Sequence, residues 1–209
     1  TNYLKKFNHP ANPYADFDEM LATEKDLQAI MIAVPDHWHA PYTVASLKKG
    51  LHVYCEKMMS NTVDGARAMV RAMKETGKLL QIGHQRHSNP RYIFAREHVM
   101  AKESKLLGRI VNINGQWNRA VSADLTWPKK NTMPDDMLNK YQYGNMREFR
   151  NWRWFKRYSG GPISDLGAHQ IDIFSWFLGE VRPKNVMASG GKDYYPDRDD
   201  YYAFTAKEY

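Results

Sequence analysis

From residue 16 to residue 83 the chain alternates apolar runs of strand length with stretches of helical spacing. Residues 28–34 contain the unbroken run Ala29-Ile30-Met31-Ile32-Ala33-Val34 and stop at Pro35, the pattern of a strand buried on both faces. Residues 51–55 and 79–83 are two more short apolar strands. Between them the spacing predicts helices over 39–49 and 62–76, closed by Gly50 and Gly77. A shorter helix carrying Phe17, Met20 and Leu21 is announced by Asp16 followed by Glu19, a capping-box-like start. Strands joined through helices of this length need crossover connections, so the sheet is expected to be parallel. Open sheets of that kind bind ligands beyond the carboxyl ends of their strands. Those ends are Pro35-Asp36-His37, Glu56-Lys57 and His84-Gln85-Arg86, all polar.

After Asn89-Pro90 the pattern changes, and residues 89–209 are expected to form a second domain with a mixed sheet. A helix is predicted over 90–102, then a long strand over 109–119 whose alternation is imperfect. Residues 120–150 show little periodicity and read as a long loop. Gly160-Gly161 introduces a strong helix over 162–178, stopped by Gly179, and β-like runs follow at 184–189 and 201–206. The last run reaches Tyr209 without a turn or cap, so the domain is expected to be incomplete at its end.

Composition narrows the classes. With 209 residues, 43% of them hydrophobic and 13% aromatic, the chain can bury one large core or two small ones. Its single cysteine, Cys55, lies inside an apolar strand run, and no zinc-type Cys/His spacing occurs, so neither a disulfide framework nor a metal site is expected. No stretch approaches the roughly 18 apolar residues of a membrane span, and no membrane partner is expected. The charge of +7 comes from 30 Lys and Arg spread without a block of five, which fits a solvated surface better than a nucleic-acid interface. Compartment stays open, because an export signal upstream would not be visible in these residues.

Two constellations carry chemistry. Lys57, at a strand end beside the neighbouring end that carries Pro35 and His39, is placed to touch whatever lies over the sheet edge. A cation near it, such as a nicotinamide, would lower its pKa into a range useful for proton handling, although a solvated Glu56-Lys57 pair explains the motif equally simply. In the 162–178 helix, Asp165, His169 and Asp172 fall on one face at 100° per residue, and Ile163, Leu166, Phe174 and Phe177 on the other. Asp165 one turn from His169 is placed to orient an imidazole that takes a proton from a hydroxyl; the plain alternative is a surface histidine.

Together these motifs resemble the Gfo/Idh/MocA family, named after glucose-fructose oxidoreductase, inositol dehydrogenase and the rhizopine enzyme. The resemblance runs from about Tyr14 onward through Ile32-Ala33-Val34-Pro35 with His39, Gly50-Leu51-His52-Val53-Tyr54-Cys55-Glu56-Lys57, Gly83 with Arg86, Trp152-Arg153, and Gly160-Gly161 with Asp165, Gly167, His169 and Asp172. It implies an α/β fold: a Rossmann NAD(P)-binding domain, whose C-terminal part is residues 1–88, followed by an α/β domain with an open mixed, largely antiparallel sheet that binds substrate and builds homo-oligomers. It implies catalytic positions at Lys57, Asp165 and His169. Pro35, His39, Glu56, Lys57 and Gln85 would face an NAD or NADP cofactor, with Trp152 and Arg153 reaching toward it from the second domain. The implied reaction is hydride transfer between the nicotinamide and a hydroxyl-bearing carbon of a sugar, sugar derivative or cyclitol. In it His169 acts as base, Asp165 orients it and Lys57 holds the oxygen.

Three departures stand out. The family's Glu-Lys-Pro is here Glu56-Lys57-Met58, which is expected to free the backbone after the lysine, and its third glycine is Pro162, compatible with a first helical turn. No GxGxxG and no ribose-binding acid precede Tyr14, so the first βαβ unit is expected to lie outside these residues. Trp127, Tyr141 and Tyr143 in the middle loop are placed either to stack on a sugar face or to pack against a neighbouring subunit. Two other functions fit the same resemblance: an NAD-dependent glycoside-cleaving enzyme working through transient oxidation, and a non-catalytic binding or regulatory protein.

Overall fold

The computed structural model describes residues 6–8, 11–101, 106–118 and 123–190. In chain order the first half holds α1 (Phe17–Thr23), β1 (Ala29–Ile32), α2 (Asp36–Lys48), β2 (His52–Glu56), α3 (Val63–Thr76) and β3 (Leu80–Gly83). The sheet is parallel in the order β1-β2-β3, with Ile32 beside Cys55 and Glu56 beside Gly83, so all three carboxyl ends open on one edge. Local chemistry sets the element ends. The Asp16 carboxylate accepts the Glu19 N–H at 2.8 Å, Thr62 Oγ1 accepts from Gly65 N at 3.1 Å, and Gly77 closes α3 in the left-handed region at φ 66°. Helices α2 and α3 close on the sheet over a core of Ile32, Ala40, Leu47, Val53, Cys55, Met69 and Ala72. Cys55 is a fully buried strand residue whose thiol burial pushes up to about 11, as its place in the apolar run predicts.

The second half departs further from the sequence reading. Residues 90–102 begin as α4 (Pro90–Phe94) and pass into a wider π turn, Ala95–Val99. The loop expected over 120–150 contains α5 (Asp135–Lys140) and α6 (Met146–Arg150), the latter capped by Asn145, whose side chain accepts from Glu148 N at 3.0 Å. Helices of one to two turns are too short to print a period on the sequence. Their purpose is a second core, Leu138, Tyr143, Met146, Phe155 and Tyr158, with Trp127, Tyr141 and Trp152 packed against it. Tyr143 is 3% exposed and Tyr141 donates its hydroxyl to the Ala15 carbonyl at 2.6 Å, so the loop aromatics serve packing within the chain.

Among the described residues neither 109–118 nor 184–189 forms a strand, against expectation. Val111 is 81% exposed, Val186 79% and Met187 96%; with no ladder partner among the described residues, β propensity alone does not make a strand. Residue 119 and the run 201–206 lie outside the described residues. The strong helix is observed as a π turn, Ile163–Gly167, leading into α7 (Ala168–Phe177). The face that carries Asp165, His169 and Asp172 turns inward, with His169 6% exposed and the two aspartate side chains 18% and 19%, while Ile163 is 48% exposed. The opposite half offers that polar face its partners, Lys57, His84 and His87.

Candidate active site

The carboxyl ends of the three strands and the start of α7 meet in one polar cluster. Lys57, directly after β2, donates from Nζ to the main-chain oxygen of Asp165 and lies 3.3 Å from its Oδ1, joining the halves across 108 positions. Arg153, in the 3-10 turn Trp152–Trp154, places Nε 3.4 Å from both Asp165 carboxylate oxygens and lays its guanidinium 4.2 Å from the centre of the Trp152 ring. Asp165 therefore spends its side chain on two cations and makes no hydrogen bond to His169 among the described residues. His169 is held instead by Trp117, stacked at 5.5 Å and 23°, and Arg86 lies 5.4 Å from the same indole. Burial lowers the His169 pKa, and the cations of Lys57 and Arg86 and His84 lower it further, against an upward pull from Asp165. The arrangement favours a neutral imidazole beside an ammonium.

The residues expected to face a cofactor fall in different settings. Pro35 precedes the first residue of α2 at the end of β1. Glu56 ends β2, with its Oε1 3.4 Å from the Tyr54 hydroxyl and its Oε2 accepting from Lys57 N at 3.3 Å. Gly83 permits that packing, since a Cβ there would stand 2.5 Å from Tyr54 Oη and 3.2 Å from Glu56 Cδ. Gln85 is exposed in the short turn Gln85–Ser88. His39 is 1% exposed, with Nδ1 2.6 Å from the Met58 carbonyl oxygen and Nε2 2.8 Å from the Val34 carbonyl oxygen, so the ring is anchored by main chain. That bond corrects the expectation at Met58: the Lys57-Met58 peptide is cis, and the backbone after the lysine is held by His39 rather than freed.

Sequence reasoning passed over four residues. Asp36, first in α2, is 4% exposed, and its carboxyl is pushed up to about 7 by burial and by Asp165, with Arg153 and Lys57 opposing. Its place directly after Pro35 at a strand end was the available signal. His87 reaches both Asp172 oxygens at 3.0 and 2.9 Å while stacking on Trp176 at 4.1 Å, and His84 lies 3.5 Å from the same carboxylate. Asp172 thus clamps the turn after β3 to α7. Trp117 carries no pattern that would have singled it out.

The residues present fit a nicotinamide ring. One oxygen of the buried Asp36 carboxyl has no hydrogen-bond partner among the described residues, and Pro35 beside it lines an apolar cleft of about 380 Å³ together with Val34, Trp38 and Tyr42. The cleft contains none of Lys57, Asp165 and His169, so the polar cluster and the apolar wall adjoin at Pro35 and Asp36.

Known proteins place these features. The oxidoreductase family with an NAD-binding Rossmann fold matches residues 2–84, and the GFO/IDH/MocA C-terminal domain matches residues 101–207. Levoglucosan dehydrogenase of Pseudarthrobacter phenanthrenivorans is 26% identical over 167 residues, 79% of this chain and 37% of its own length. An inositol 2-dehydrogenase of Rubrobacter xylanophilus is 34% identical over 110 residues, 52% of this chain and 30% of its own length. The crystal structure of the WlbA dehydrogenase from Bordetella pertussis in complex with NADH and UDP-GlcNAcA superposes with a TM-score of 0.60 at 21% identity, over 84% of this chain and 44% of that one. The chain spans less than half the length of each of these proteins.

Proposed function

We propose, on the premise that this chain belongs to the Gfo/Idh/MocA oxidoreductase family, that it carries the reacting groups of an NAD(P)-dependent enzyme oxidising a hydroxyl of a sugar, sugar derivative or cyclitol. One observation carries the reading: an ammonium from the strand edge and an imidazole from α7 share a desolvated corner with the carboxylate that holds the ammonium. The nicotinamide, when bound, supplies the hydride acceptor. His169, favoured as the neutral base, takes the hydroxyl proton, and Lys57 stabilises the oxygen as it gains negative charge. Asp165 acts through Lys57, which it holds, and Arg153 pairs with the same carboxylate. Pro35, Glu56 and Gln85 border the cofactor's place, Trp152 and Arg153 approach it from the second half, and His39 ties the strand ends behind it.

The hydroxylated ring as substrate class is supported by the relatives, levoglucosan and inositol dehydrogenases, and a nicotinamide cofactor, NAD or NADP, by the matched NAD-binding Rossmann family. A domain boundary between residues 88 and 89 falls between the two matched segments. A mixed, largely antiparallel sheet and a homo-oligomer, both properties of the second domain in the whole protein, belong to the same proposal. The test is a panel of free sugars, sugar acids and cyclitols assayed with NAD and with NADP for net reduced cofactor. Aglycone release without net NADH would replace the dehydrogenase by transient oxidation, and binding without either product would remove the chemistry.

A further inference from the structure

We propose that Asp36 is a positioning residue of this site: held as the neutral acid behind Asp165, it adds no second carboxylate to compete for the Lys57 ammonium where the substrate oxygen gains charge. The chemistry rests on the function proposed above; the state of the carboxyl does not. Asp36 opens the 13-residue helix α2 at the carboxyl end of β1, 4% exposed, with Oδ2 lacking any hydrogen-bond partner among the described residues. The groups acting on it come from every neighbouring element: Lys57 and Cys55 from β2 and its end, Arg153 from the 3-10 turn, Asp165 from the π turn, and the Gly160 backbone. Both cations are already committed to Asp165, at 3.3 and 3.4 Å. A second carboxylate would have to compete for them while losing its own water.

The N-terminus of α2 pulls toward ionisation, but a helix terminus contributes less than burial costs a carboxylate. Burial as the largest cause and Asp165 as the next bring the carboxyl up to about 7, so it retains its proton on the acid side of neutrality, where an ordinary aspartate has lost it. Above that, an ionised Asp36 would draw on Lys57 and weaken the stabilisation of a developing alkoxide.

Isotope-edited infrared titration of the ligand-free protein reads the carboxyl directly, with Asp36→Asn identifying its band. The acid carbonyl band is expected to persist to near neutral pH. Asp165→Asn should move its midpoint down by about one pH unit and Arg153→Gln should move it up, both variants leaving Asp36 in place. A carboxylate band already present at about pH 5, in the ordinary range of an aspartate, or a midpoint indifferent to Asp165→Asn, overturns the neutral acid. In turnover, the wild type should show an alkaline fall in kcat that Asp36→Asn lacks, and an identical fall in both overturns the positioning role. A protein whose Asp36 titrates as stated but which oxidises no polyol would overturn the proposed function and, with it, the role of Asp36, leaving the buried acid itself established.

Discussion

Replacing Lys57 by methionine keeps the length of the side chain and removes its charge. In the protein Lys57 Nζ serves the main-chain oxygen of Asp165 and its Oδ1 at 3.3 Å, with the two side chains 14% and 18% exposed. At an effective dielectric of about 20, unit charges at that separation attract by about 5 kcal/mol. Arg153 remains 3.4 Å from the carboxylate, so the loss in stability is discounted to about 2 kcal/mol, below the figure for a buried pair losing its only partner. The effect on rate is larger, because the ammonium acts on charge that appears only in the transition state: kcat for polyol oxidation should fall by roughly 10² or more. A second consequence follows from the electrostatics of His169. Lys57 is the leading cause after burial that lowers its pKa, so Lys57→Met should raise that pKa. Oxidation needs the neutral imidazole and fails as pH falls through its pKa, so the acidic limb should move to higher pH in the variant. Initial-rate profiles at saturating polyol and cofactor, with urea melts alongside, measure all three. Wild-type kcat with an unmoved limb would refute the placement of Lys57 at the reacting oxygen, and a limb displaced to lower pH would refute the electrostatic account of His169.

His169→Asn should abolish the acidic limb together with most of the activity; a surviving limb would pass the base to another group, with His84 next in line by position. Asp36→Asn tests linkage in the resting protein. Because the folded pKa of about 7 lies above the unfolded 3.8, the native state retains a proton the unfolded chain has released, and wild-type stability falls as pH rises through that window. The slope approaches about 1.4 kcal/mol per pH unit, and the asparagine variant, having no proton to retain, should lack this contribution in urea melts; parallel curves for the two proteins would contradict it. Leu138→Ala should cost about 2–5 kcal/mol, since Leu138 is 2% exposed in the second core, and a loss within experimental error would show that core to be dispensable.

The first half of the fold was legible because its signals are local. Short strands that feed a core are rich in apolar residues, as 28–34, 51–55 and 79–83 are, although β1 is buried on one face only, with Met31 74% exposed on the other; Asp16, Thr62 and Gly77 bound their elements with their own side chains or backbone freedom. Lys57 was legible as a candidate from its strand end, and Asp165 and His169 from their helical spacing. Their pairing was not: Asp165 was expected to hold His169 and holds Lys57 and Arg153 instead.

What the sequence determined by itself is the alternation of strands and helices, the parallel sheet it requires, and which chemically capable residues lie at the strand ends. Tertiary structure alone decided that residues 129–150 coil into short helices around an aromatic core, that α7 turns His169 inward, that His39 is bound by main chain, and that Asp36 sits buried among charges from both halves. The reason is range. Caps, turns and apolar runs act within a few residues, whereas the partner of a buried charge is chosen by whatever packing brings beside it, here Asp165 beside Lys57 across 108 positions of chain.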